Sequence, residues 1–450
     1  MELNPEFRRN LWLEMTPHRL LVMPLILIAV AFLIFKVSGE GEGLVNLNAY
    51  ALFALGFMII FWGARMASES LVAEVNGRTW DSQRMSSLGP WSMTWGKLLG
   101  STAYVWYGAL FCVVIFLATY GSSTLESPVR SLIFLLLTGL FSQSLSLLSS
   151  IVMLKKSRDD GAGQSARAVY LVVAIFVSSF VVPIGFNSSL RPESLLWFGM
   201  YFVQIDFVIL SILIFLGWSV FGVHRLMATE LQVRTTFFGW LGFVVFAVTY
   251  TVGFFTDSTV SGELFDGFSN ERLTVFMVGY TVALCLAYLM LFSEKKDLVL
   301  FRQIVKFIKE RNLRELFLLL PCWAVSAIVV ALIAVVGEVT VGDMPRGALI
   351  ALFLFFIRDL SLVLFLNLSK NKKRADMTAG LYLILLYGVV PWIFKAIDLD
   401  FMTALFWANV QEYGFGVHMA VTLEIIAIVF LLNRRWKKVC AEPVVVEREG

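Results

Sequence analysis

The chain has 450 residues, 58% of them hydrophobic and only 15% charged, with 40 phenylalanines and a mean hydropathy of +0.79. An ordinary soluble domain is near half apolar and a quarter charged, and a soluble fold of this size cannot hide so much apolar surface in one core. A soluble enzyme, a disordered scaffold and a secreted disulfide domain are therefore excluded, and the net charge of +3 gives no reason to expect a nucleic-acid partner.

Residues 1–19 come first. Asn4 can cap a helix that Pro5 opens. Apolar Phe7, Leu11 and Leu20 alternate with Glu6, Arg8, Arg9 and Glu14, as in an amphipathic helix lying on a membrane surface. The segment is too long and too acidic for a signal-peptide n-region and is expected to be retained. Twelve apolar runs follow, at roughly 20–37, 48–66, 96–120, 130–154, 167–187, 201–223, 237–255, 273–292, 315–336, 346–366, 377–396 and 416–433. Each suits a membrane helix of about 20 residues. The expected fold is an all-α polytopic bundle with amphipathic surface helices.

Lys and Arg are distributed unevenly over the connections. With the N-terminus in the cytoplasm, 29 of the 36 fall inside, among them Arg8, Arg9 and Arg19, seven within 293–314 and five in the tail 434–450. Five fall outside (Lys36, Arg130, Arg191, Arg272 and Arg346). This positive-inside bias places both termini in the cytoplasm. The connections are too short to house a catalytic domain, so no enzyme activity is expected of this chain.

The connection 67–95 is the longest polar inside stretch of the first half. Glu69, Glu74, Arg78, Asp81 and Arg84 recur at helical spacing. Gly89-Pro90 breaks the pattern, and Trp91 and Trp95 suit the interface before the third span. A surface helix, two spans, then Glu74-x-x-Gly77-x-Thr79, then Leu88-Gly89-Pro90, then Gly96-Lys97 opening a span: this order resembles the permease subunits of ABC-2-type transporters over roughly residues 1–225. The resemblance implies that Asn4, Pro5, Phe7 and Arg8 belong to an elbow helix. It implies that Glu69, Glu74, Gly77, Arg78, Thr79, Asp81, Arg84, Pro90 and Lys97 belong to a coupling segment that docks on a separate ATPase, with Glu74 and Asp81 offering charges to it. It further implies export, a plasma membrane (bacterial inner membrane) location, and ATP and magnesium on the partner. In this chain itself no cofactor and no metal are expected. Gly96-Lys97 is not a P-loop: Trp91 stands where the first Gly belongs, and Leu98 replaces Ser or Thr.

Such permeases usually carry six spans per chain, so the second half is a departure. On this reading 1–19 is the elbow, 20–224 a six-span unit, 225–296 a two-span connector, 297–433 a basic surface helix plus four spans, and 434–450 a tail. Phe301-Arg302 repeats Phe7-Arg8 at a matching place, but the inside loop at 367–376 is short and has no Glu-x-x-Gly-x-Thr. Its Lys370, Lys372, Lys373 and Arg374 suit anionic lipid headgroups. One docking helix per chain calls for two copies of this chain, or one copy with a different permease, around a pair of ATPases, and the homodimer is expected.

Asp206, Arg358, Asp359 and Glu424 fall within apolar runs, where ionisable residues are functional candidates. Neighbours Arg358 and Asp359 point about 100° apart on a helix and need not pair. Glu424 or Asp206 is the expected partner of Arg358. These charges leave open an ion-coupled twelve-span secondary transporter, and a non-transporting membrane scaffold remains a third reading. A lipidic, amphipathic or peptide cargo fits an apolar bundle better than a sugar or ion.

Overall fold

The computed structural model describes residues 4–39, 42–123, 125, 127–160, 165–190, 193–233, 235–256, 271–294, 296, 298–340, 347–368, 375–406 and 414–441. The loop residues Lys370, Lys372, Lys373 and Arg374 lie outside them, as does the end of the tail. Eleven helices are long and apolar enough to cross a membrane, or twelve if one bent pair counts as a span. The one β element among the described residues is a hairpin, β1 (Ser194–Trp197) and β2 (Met200–Val203), turned by Phe198 and Gly199, both at positive φ.

The chain divides into two compact units, Met1–Leu196 with Met200–Thr235, and Trp197–Gly199 with Thr236–Gly450. The first holds α1 (Pro5–Glu14), α2 (Pro17–Val37), α3 (Gly43–Asn76), α4 (Trp80–Arg84), α5 (Pro90–Gly100), α6 (Ala103–Ala118), α7 (Pro128–Asp160), α8 (Val169–Ser189) and α9 (Gln204–Glu230). The second holds α10 (Phe238–Phe255), α11 (Glu271–Ser293), α12 (Leu298–Lys309), α13 (Leu313–Leu319), α14 (Cys322–Thr340), α15 (Ala348–Asn367), α16 (Ala375–Ala396) and α17 (Phe415–Ala441). The spans expected at 237–255 and 273–292 thus belong to the second unit.

In the first unit α7 is the central helix. It buries a polar, small-residue stripe that includes Thr138, Ser142, Gln143, Ser146 and Ser150. Without a hydrophobic force between helices in lipid, close approach and interhelical hydrogen bonds supply the cohesion. Gln143 Nε2 donates to the Ile59 carbonyl (3.0 Å), Ser142 Oγ to the Ile60 carbonyl (3.1 Å), and Trp106 Nε1 to Gln143 Oε1 (3.0 Å). The carbonyls concerned lie in a π-turn, Phe57–Trp62, inside α3, so α7 provides partners where the regular ladder is interrupted. Outward-facing Leu21, Phe53 and Val172 are exposed, as lipid-facing side chains should be.

The expected third span, 96–120, is two helices. α5 and α6 meet at a 48° bend over Ser101 and Thr102. Ser101 Oγ bonds back to the Lys97 carbonyl and Thr102 Oγ1 to that of Leu98 (2.7 Å), the local competition that bends helices. In the second unit, Ala283 and Ala287 of α11 cluster with Val330 and Ala334 of α14 and Leu349 and Phe356 of α15. None of the residues of α12 is buried; it carries Arg302, Lys306 and Lys309 opposite apolar positions.

Candidate functional site

α3 runs 34 residues, longer than a bilayer needs, and ends in a defined cap. Arg78 adopts the left-handed conformation (φ 55°). The Thr79 amide donates to the Glu74 carbonyl (3.0 Å) and the Arg78 amide to that of Val75 (3.2 Å). This is a Schellman motif with Arg78 at the position that usually holds glycine. Gly77 and Thr79 therefore serve to stop α3 and turn the chain into the short helix α4. Trp80 anchors α4 and is almost fully buried.

The cap aims the last turn of α3 at α1 and α5. Glu74 forms ion pairs with Arg9 and with Lys97. Lys97 Nζ, fully buried, also reaches Glu6 Oε1 at 3.3 Å and lies 5.4 Å from the centre of the Trp80 ring. Arg9 Nη2 closes the set on Glu6 Oε1 at 3.0 Å. Two carboxylates and two cations thus form one network, and Gln83 Nε2 adds a hydrogen bond to Glu74 (2.9 Å). Burial opposes the charge on Arg9, but the hydrogen bond and charge of Glu74, with those of Glu6, outweigh it and hold the guanidinium above its ordinary value.

α1 seats directly on α5. Asn4 Oδ1 caps the Glu6 amide (3.1 Å) while its Nδ2 donates to the Ser92 carbonyl (2.7 Å), and Ser92 Oγ donates to Asn4 Oδ1 (2.8 Å). Asn10 Nδ2 reaches Glu6 Oε1 (3.0 Å) and the Gly96 carbonyl (3.3 Å). A Cβ on Gly96 would stand 2.6 Å from the Glu6 Cβ, and one on Gly100 2.8 Å from the Asn10 Cβ. Only glycines let the two helices meet this closely. Nothing in the charge pattern marks Glu6, Asn10 or Trp80; the legible signal is the small-residue pair Gly96-x-x-x-Gly100 opposite Glu6 and Asn10 at i, i+4.

The structure separates the coupling-segment residues into two sets. Glu74, Lys97 and, through the cap, Gly77 and Thr79 build the clamp, with Pro90 at the start of α5. Glu74 is therefore not a surface charge held out to a partner, as expected above: its carboxylate is consumed by Arg9, Lys97 and Gln83. Arg78, Asp81 and Met85 are exposed, Asp81 with 80% of its side chain and Met85 at 82%. Arg84 is 3.7 Å from Asp81, and Glu69 pairs with Arg65 (2.9 Å). In α1, expected above to be an elbow helix, Arg8 is exposed and Phe7 half-buried, its backbone passing against α5.

The intramembrane charges of the second unit come together. Arg358 Nη1 donates to Glu424 Oε2 (2.9 Å) and to the Leu405 carbonyl (2.9 Å), and its Nε donates to Asp359 Oδ1 (3.1 Å). So the neighbours do pair: the long arginine side chain folds back far enough to overcome the angle between them. Tyr288 and Tyr387, unmarked by composition, each donate to Asp359 Oδ2 at 2.6 Å. The Arg358 guanidinium lies over Phe355 (4.7 Å) and Tyr387 (5.1 Å). Asp206, by contrast, is half exposed in the first turn of α9 and pairs with Arg130 (3.3 Å), where a helix N-terminus favours an acid. Among the described residues, no three His, Cys, Asp or Glu side chains stand together to hold a metal ion.

Eleven or twelve apolar helices, polar pairs turned inward and aliphatic side chains turned outward define a polytopic helical membrane protein, with an architecture consistent with a transporter. Neither a protein-family model, nor a curated protein, nor a solved structure matches the chain.

Proposed function

We propose that the chain is the permease subunit of an ATP-driven ABC-2-type exporter. The observation that supports this most is the network Glu6–Arg9–Glu74–Lys97, which ties a surface helix, the end of one span and the start of the next together. A force applied at α4 would pass through Glu74 and Lys97 to α3 and α5 together. On this reading the tip that meets the ATPase is Asp81 and Met85, not Glu74. ATP and magnesium sit on the partner, this chain contributes no catalysis, and two copies surround an ATPase pair in a bacterial inner membrane. The basic face of α12 contacts anionic lipid, and the cargo is lipidic, amphipathic or peptidic.

The test is purification of the tagged full chain from its native membrane, with ATPase activity and subunit stoichiometry measured. The double variant Asp81→Lys with Met85→Asp should lose the ATPase while remaining monodisperse. Full ATPase retention by that variant, or an absence of any ATPase from the wild-type complex, would overturn the reading. The second outcome would favour an ion-coupled transporter, which the buried cluster of Arg358, Asp359 and Glu424 supports.

A further inference from the structure

We propose that the second unit binds an organic cation with an apolar body, such as a tertiary or quaternary amine, in the cavity beside Asp359. The proposal does not rest on the ATPase reading. The cavity has a volume of about 560 Å³, within the roughly 300–1,000 Å³ of pockets that take drug-sized ligands. Its described lining holds one charged residue, Asp359, and five rings: Tyr288, Phe355, Phe356, Tyr387 and Phe406. The remaining lining is aliphatic.

Charge decides the sign of the ligand. Arg358 is the one base bonded to Asp359 and Glu424 among the described residues, so a single cation faces two carboxylates. An anion entering the cavity would come nearer to the acid of this cluster than to its base, because Asp359 lies at the wall and Arg358 does not. A cation meets Tyr288 and Tyr387, whose oxygens are polarised by donating to the Asp359 carboxylate buried behind them, and the negative faces of aromatic rings.

The backbone supports a built site. Tyr387 lies in a π-turn, Leu385–Val389, within α16. Pro391 lacks the N–H that would bond the Tyr387 carbonyl in a regular helix, so the turn has a local cause. Such turns recur at functional sites, and this one carries the residue that joins cavity wall and carboxylate.

Two ions of the same shape and opposite charge test the idea on the purified full chain in detergent: tetraphenylphosphonium and tetraphenylborate, followed by equilibrium dialysis. Saturable binding of the phosphonium, about one per chain and at least tenfold tighter than the borate, is expected. Asp359→Asn should weaken it at least tenfold. Should that variant fail to fold, Phe406→Leu, which keeps the apolar wall but removes a ring, should weaken it severalfold. The Asp81→Lys, Met85→Asp protein should bind as wild type, which separates this site from ATPase docking. Equal uptake of both ions, non-saturable partitioning, or binding unchanged in Asp359→Asn and Phe406→Leu would overturn the proposal; tighter borate binding would mark an anion site instead.

Discussion

Glu74 and Lys97 face each other across the end of one helix and the start of another, and the lysine ammonium is fully buried between Glu74 and Glu6. Both charges have left water, and each depends on the other for compensation. Replacing only one member of a buried ion pair costs about 3–5 kcal/mol, because its partner remains charged and unpaired. Lys97→Met is expected to be the most damaging single change at the clamp, since it leaves Glu6 and Glu74 sharing the single charge of Arg9. Glu74→Gln leaves Lys97 with Glu6 and should cost less. The double variant should lose less than the two single losses added. Thermal unfolding in detergent measures all three, and additive losses would show that the pair is not coupled. Arg9, held above its ordinary value by Glu74 and Glu6, keeps its contribution below that ordinary value and loses it only as pH rises through the raised one.

Gly96 is where α1 touches α5. Gly96→Ala places a methyl group 2.6 Å from the Glu6 side chain and 3.0 Å from the Phe7 amide, so α1 must move off. Overpacking of this kind costs about 1–3 kcal/mol. The expected outcome is a lowered melting temperature together with protease sensitivity within residues 1–16. Gly89→Ala is the control: nothing stands within 4 Å of its Cβ, and it should behave as wild type. Equal protease resistance of the two variants would show that α1 is not seated through Gly96.

Arg358 has two acids and Glu424 has one base, so their losses should differ. Arg358→Met strands Asp359 and Glu424 and is expected to cost about 3–5 kcal/mol. Glu424→Gln leaves Arg358 bonded to Asp359 and the Leu405 carbonyl and should cost less. A double-mutant cycle on thermal stability should show positive coupling between them. Additivity would mean that the 2.9 Å contact carries no energy.

Much of the architecture was legible because lipid imposes a local rule: a span must be apolar over about 20 consecutive residues, and that requirement is written in one stretch of chain. The runs at 20–37, 416–433 and those between required no tertiary information. Arg358 likewise demanded a partner from its setting alone, and Glu424 supplies it. The bend at Ser101 and Thr102 lay within reach, but hydropathy averages over it.

Tertiary structure decided where polar groups point. Charges at helical spacing in 67–95 say that a helix exists, not which face meets another helix. Glu74 turns inward because the Schellman cap at Arg78 sets the direction of the chain, and Asp81 and Met85 stay outside because α4 hangs on Trp80. In α1, Glu6 and Asn10 are buried while Trp12 is exposed, the reverse of a soluble amphipathic helix. The physical reason is that an apolar side chain next to lipid loses nothing by facing outward, whereas a carboxylate there must find a cation. Which cation it finds depends on the approach of helices that glycines permit, and that is a property of three segments at once, not of any one of them.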